Sequence, residues 1–179
     1  SMAESSDLTQ RAIAFETIGW IGVSLEGKVT LADLGNKMSN CIEKLEDLIR
    51  DSPTEIRIRG MNAFSSLIKL DKENQSNEFL SITECWYKRA LGNRGSPMQL
   101  LVGIVKLPFA DMRLAMYGLL NNIAKQGWGR REILRFPGFP ELLLDRSTER
   151  DKDGKDTKYE LIQSLVESGI RKRFFCARW

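Results

Sequence analysis

The stretch from Gly22 to Thr30, GVSLEGKVT, carries Gly22, Gly27 and Lys28 at the spacing of a phosphate-binding loop. In such a loop, backbone N–H groups following a strand cradle phosphates, the lysine reaches them, and a hydroxyl after the lysine holds Mg²⁺. Val29 occupies the hydroxyl position, and Ala14, Ile18 and Ile21 recur before it at helical spacing. A turn into a short helix is expected here, not a nucleotide site. Acid–base and metal chemistry find no better support. The sequence has no histidine, and Cys41, Cys85 and Cys176 show no CxxC spacing, which removes His-dependent triads and zinc sites. Asp151 and Asp153 begin like a calcium loop, but Ile162 stands where a bidentate glutamate is required. The chain is read as non-enzymatic, with no cofactor, no metal and no small-molecule substrate.

Charge narrows the remaining classes. Arg171, Lys172, Arg173 and Arg178 crowd the last nine residues, and removing these four from the formal +3 leaves the rest of the chain at −1. A near-neutral body does not neutralise phosphates, so nucleic-acid binding is not expected. No run approaches the roughly 18 apolar residues of a membrane span. Cys41 and Cys85 fall on apolar helical faces, so they read as buried thiols of a reducing compartment, and a cytoplasmic or nuclear address follows. The segment Asp145 to Lys158 holds five acids and five bases and is expected to be a solvated connection. Trp128, Phe136 and Phe139 are expected to pack under loops.

The elements that must position any working surface are helices. Strand signals are nearly absent, while Ser52-Pro53-Thr54-Glu55 and Ser96-Pro97-Met98-Gln99 each look like a capping box with proline at the first helical position. Gly35 and Gly92 follow periodic segments, as left-handed C-terminal caps do. Helices are expected near 7–24, 26–34, 37–50, 53–69, 77–91, 97–107, 109–126, 129–135, 140–147 and 156–168, joined by short connections.

Four of them share a pattern: a basic residue, a small or apolar residue three on, and apolar residues at seven and ten. The sets are Arg11, Ala14, Ile18, Ile21; Arg57, Gly60, Phe64, Leu67; Arg113, Met116, Leu120, Ile123; and Lys158, Leu161, Leu165, with Ser168 departing at the end. Basic positions 11, 57, 113 and 158 are 46, 56 and 45 residues apart, against roughly 40–47 for HEAT and armadillo units, and the long middle unit holds an insertion-like stretch around Gly92 to Ser96. The expected fold is an all-α solenoid built from helical hairpins, a single helical-repeat domain over residues 1–179 that reads as the C-terminal fragment of a longer solenoid. Residues 169–179 are expected to form a divergent, loosely ordered tail.

If the patterned helices are the inner ones, their faces opposite the core carry Ile58, Asn62 and Lys69; Leu114, Asn121 and Lys125; and Tyr159 and Gln163. These eight are the candidate partner-binding residues. Ile58, Leu114 and Tyr159 are equivalent positions, and an apolar residue repeated there suits either a protein-binding groove or sideways packing between repeats. A general armadillo-like scaffold or transport adaptor would instead hold an extended peptide on an asparagine ladder, which Asn62 and Asn121 do not form.

Five stretches resemble a known family: ETIGWIGVSLEGK at 16–28, EIRIRGMNAFSSLIKL at 55–70, TECW at 83–86, LPFADMR at 107–113, and FPGFPELLLDRSTERDKDGKDTKYELIQSL at 136–165. Together they resemble the C-terminal part of the 26S proteasome non-ATPase regulatory subunit 5 family. The resemblance implies a HEAT or armadillo-like chaperone for assembly of the proteasome's regulatory base. Members of that family bind the C-terminal domain of one ATPase subunit and are absent from the mature complex. No catalysis is implied, and nothing is carried onto residues 169–179.

Overall fold

The computed structural model describes residues 2–166; the tail expected at 169–179, and Ser168, lie outside the described residues. Ten α-helices follow one another: α1 (Leu8–Ile21), α2 (Leu25–Asp33), α3 (Asn36–Asp51), α4 (Thr54–Ile68), α5 (Asn77–Leu91), α6 (Pro97–Val105), α7 (Ala110–Ala124), α8 (Gly127–Arg135), α9 (Phe139–Leu144) and α10 (Lys152–Val166). The described residues contain no strand.

α1, α4, α7 and α10 pack side by side in that order and form one continuous row. Each step along the row after α1 consumes three helices, α2–α3–α4, α5–α6–α7 and α8–α9–α10. The units are therefore triplets of the armadillo kind, where the sequence pointed to hairpins. Sequence periodicity could not separate the two, because α2, α6 and α9 are only nine, nine and six residues long.

The repeated pattern is the row's buried stripe. Met116, Leu120 and Ile123 of α7 are fully buried, as are Leu161 and Leu165 of α10 and Phe64 and Leu67 of α4. Burying such side chains is worth about 1.5–3 kcal/mol each. α1 departs from this register. Its buried stripe is Ala12, Phe15 and Gly19, whereas Ile21, expected inside, is 45% exposed. Gly19 is the reason, because a Cβ there would stand 2.6 Å from the carbonyl oxygen of Ala63, so α1 seats against the α4 backbone through its glycine.

The basic residue that opens the pattern proves to be structural. Arg57 Nε donates to Ile49 O at 2.6 Å, Arg113 Nη1 to Leu107 O at 3.0 Å, and Lys158 Nζ to Leu142 O and Asp145 O at 3.0 and 2.6 Å. Each carbonyl lies in or just past the last turn of the preceding helix, where acceptors lack intrahelical partners and the dipole favours a cation. Arg11 does not share the role; it donates to Lys44 O within α3.

Several local expectations are corrected. Neither Ser52 nor Ser96 makes a side-chain cap; Asp7, Ser24 and Ser76 do, at α1, α2 and α5. Gly35 has φ +54°, but Gly92 sits at −108°, and the positive φ of that turn falls on Gly95. Cys85 is exposed and Cys41 only half-buried. Trp128 and Phe139 are buried as expected, with Phe136 partly buried against the core.

The largest correction concerns residues 145–158. Helix α10 already begins at Lys152, and Glu149 is 3% exposed. Glu149 accepts from Arg113 Nε at 2.9 Å, Arg113 Nη2 at 3.1 Å and the Tyr117 hydroxyl at 2.9 Å. The hydrogen bond to Glu149 holds Arg113 above its ordinary pKa against the effect of burial. Equal numbers of acids and bases masked a buried ion pair that fastens the connection to the row.

Candidate functional site

The exposed face of the row is stitched by polar pairs between successive helices. Glu16 of α1 takes a two-pronged bond from Arg59 of α4, both at 2.7 Å, and this holds the Glu16 carboxyl below its usual range. Asn122 of α7 donates to Ser65 of α4 at 2.8 Å, and Ser164 of α10 donates to Asn121 of α7 at 2.6 Å. Such bonds fix the spacing of the helices and hence the shape of the face.

A groove of about 530 Å³ lies where the C-terminal half of α7 faces α10. Asn121 and Lys125 line it from α7, and Glu160, Gln163 and Ser164 from α10. Its far wall comes from outside the row: Lys72 and Gln75 in the segment between α4 and α5, and Arg130 on α8. Gln75 Nε2 donates to Lys125 O at 3.0 Å, and Arg130 Nη1 donates to Ala124 O and Lys125 O at 3.3 and 2.9 Å. Both side chains thereby satisfy carbonyls at the end of α7 and are held as a wall.

Of the eight candidate residues, the structure brings Asn121, Lys125 and Gln163 together in this groove. Tyr159 stands beside them, 60% exposed, its hydroxyl accepting from Gln163 Nε2 at 3.1 Å. Asn62 and Lys69 are exposed one helix away, on and just past α4. Ile58 is half-buried and packs against the core, and Leu114 is half-buried. The three equivalent positions therefore have different surroundings. Among the described residues Asn62 and Asn121 form no ladder, since they occupy non-equivalent positions and Asn121 is engaged by Ser164. Lys72, Gln75 and Arg130 escaped sequence reasoning because they belong to no repeat; the only signal for Arg130 is its place four residues into α8.

Lys28 is fully buried, and its ammonium donates to Gly22 O and, at 2.7 Å, to Leu67 O. Burial lowers its pKa to about 8. A lysine turned inward onto the ends of α1 and α4 cannot meet a phosphate, which gives the failed loop motif its physical account. No described helix is long and apolar enough to cross a membrane, and no group of His, Cys, Asp and Glu among the described residues could hold a metal ion.

Comparison with known proteins adds three findings. The model of a family described as proteasome non-ATPase 26S subunit matches residues 1–177, a span reaching into the terminal stretch set apart above. The 26S proteasome non-ATPase regulatory subunit 5 of Homo sapiens is 35% identical over 93% of this chain and 32% of its own length, and that of Mus musculus 37% over the same shares. That of Drosophila melanogaster is 23% identical over 92% of the chain. The chain spans about a third of the length of these relatives. Among solved structures, an engineered protein superposes with TM-score 0.68 at 15% identity, covering 92% of this chain and 60% of its own. A designed armadillo repeat protein in complex with a (KR)4 peptide gives 0.62 at 16%, over 94% and 67%. These likenesses establish an armadillo-type all-α solenoid.

Proposed function

The chain belongs to the proteasome non-ATPase 26S subunit family, and from that premise we propose that it forms part of an assembly chaperone for the regulatory base of the 26S proteasome. In this reading it holds the C-terminal domain of one proteasomal ATPase subunit and leaves before the particle is complete. The observation that carries the reading is the 35–37% identity to regulatory subunit 5 across 93% of the chain. The row of helices supports it physically, because a rigid face of stacked repeats presents a long surface at little ordering cost. The working part is the row's open side, with Leu114, Asn121, Lys125, Tyr159 and Gln163 as its contacts. The setting is cytoplasmic or nuclear, and neither nucleic acid, membrane nor small-molecule substrate takes part.

The test is affinity purification of the tagged 179-residue chain from cell extract, read by mass spectrometry. Enrichment of one base ATPase without the core particle is the expected result. Stoichiometric recovery of intact 26S particles would contradict a chaperone that departs. Charge insertion at Leu114, Asn121 and Tyr159 together is expected to abolish recovery of the ATPase, and full retention would remove these residues from the interface.

A further inference from the structure

We propose that the side of α1 turned away from α4 is a seam onto which a preceding helical repeat of a longer polypeptide packs, with Ile13, Thr17 and Trp20 entering between its helices. The inference rests on the fold, and it stands or falls apart from the chaperone reading.

Helix order is the first ground. Each of α4, α7 and α10 follows two helices that complete its unit, and α4 and α7 each lie between two neighbours in the row. Among the described residues α1 follows only a single helical turn, Met2–Glu4. Its packing is mainly on α4, with that turn and α3 beside it. It therefore holds a row helix's place with one of its two sides bare.

The residues on the bare side are the second ground. Ala12, Phe15 and Gly19 form the buried stripe. At about 100° per residue, Ile13, Thr17 and Trp20 fall on the opposite side of the helix. All three are exposed, and Trp20, at 77%, is the most exposed large hydrophobic residue among those described. The exposed positions of α1 are Thr9, Gln10, Ile13, Thr17, Trp20 and Ile21, with no charge among them. A helix side that faces water ordinarily carries charges, as Asp153, Lys155, Asp156 and Glu160 do on α10. The two charged residues of α1 are both engaged within the fold, Arg11 with Lys44 O and Glu16 with Arg59.

Solenoid construction names the occupant. Terminal repeats close a stack with a polar outer face, whereas interior repeats bury an apolar one against the next. The bare side of α1 is of the interior kind. Ile13, Thr17 and Trp20 recur at the i, i+4, i+7 spacing of a helix ridge, which enters the groove of a neighbouring helix about 8–10 Å away. The chain spans 32% of the Homo sapiens relative and matches its C-terminal part, so such a polypeptide has the preceding length to supply the repeat. A second copy of the chain would instead pair two α1 sides and end the row there.

Thermal melting tests this on two chains: the 179-residue chain, and the same chain joined behind the residues that precede the matched part of the Homo sapiens relative. Thr17→Lys and Trp20→Lys place a good helix former at exposed positions, so each is expected to leave the 179-residue chain within about 2 °C of its melting temperature. In the joined chain each is expected to lower it by about 3 °C or more, because there the charge enters an apolar seam. Leu144→Lys, on α9 at the other end of the row, is the control and is expected to shift both chains alike. Amide exchange gives a second reading, with α1 better protected in the joined chain than in the 179-residue one. Equal shifts in the two chains, or no gain in α1 protection on joining, would overturn the proposal. A dimer of the joined chain that Trp20→Lys dissolves would also overturn it, giving the seam to a second copy.

Discussion

Replacing Glu149 by glutamine isolates the contact that charge counting concealed. The substitution keeps the size of the side chain, removes its charge, and turns one acceptor into an amide donor facing an arginine. Arg113 is then left 14% exposed with no counter-charge, and the Tyr117 hydroxyl loses its acceptor or competes for the remaining oxygen. Breaking a buried ion pair from one side costs about 3–5 kcal/mol, because the surviving charge stays desolvated. For a chain of this length that corresponds to a fall in melting temperature of about 6–20 °C. Glu84→Gln is the control: its bond to Lys88 at 2.6 Å is an exposed pair one helical turn apart, worth about 0.3–0.5 kcal/mol. Melting followed by circular dichroism gives the first reading, and amide exchange gives the second, with protection lost first in α10. Combining Glu149→Gln with Arg113→Met is expected to restore part of the loss, since it removes the stranded charge. A fall no larger than that of Glu84→Gln, or a double variant less stable than the sum of both singles, would refute the reasoning.

Other outcomes follow from the same structure. Lys28 has a native pKa of about 8 against an ordinary value of 10.5, so between those values the unfolded chain holds a proton that the folded one has released. Lys28 therefore makes stability rise with pH across that window; the urea midpoint should climb from pH 8 toward 10.5, and Lys28→Met should flatten the climb, whereas parallel curves would contradict it. Gln126 is fully buried, accepts from the Thr83 hydroxyl at 2.6 Å and Trp128 Nε1 at 3.0 Å, and donates to Ile68 O at 2.8 Å. Gln126→Leu should cost about 1–3 kcal/mol in denaturant titration, as unsatisfied buried groups do. Gly19→Ala should cost about 1–3 kcal/mol by pushing α1 off the α4 backbone, with amide protection falling in α1 before the rest.

Arg57, Arg113 and Lys158 show why the repeat was legible. Each must reach the carbonyls ending the helix before it, so geometry fixes its place relative to the buried stripe, and a fixed relation leaves a period in the sequence. Arg11 has the residue type without the geometry, and there the register slipped by one position. Caps were misjudged for a related reason: serine before proline fits a capping box on paper, but proline as N-cap of α4 leaves Ser52 outside the helix. Among the candidate contacts, those on the row could be read from periodicity. The wall of Lys72, Gln75 and Arg130 could not, because only the folded path of the α4–α5 connection and of α8 carries it to the end of α7.

The basic character of that wall also has a structural source. Helix C-termini favour cations, and the end of α7 collects Arg130 and Gln75 for its carbonyls just as the end of α4 collects Lys28 and Gln126. Capping alone would make the two ends alike, yet they differ. Past α4, Lys69 shares a depression of only about 160 Å³ with Asp71, whose charge acts on Lys28 as well. Past α7 the depression is about three times larger, and Lys125 shares it with Glu160, so the two ends differ in the room they leave rather than in having an acid nearby.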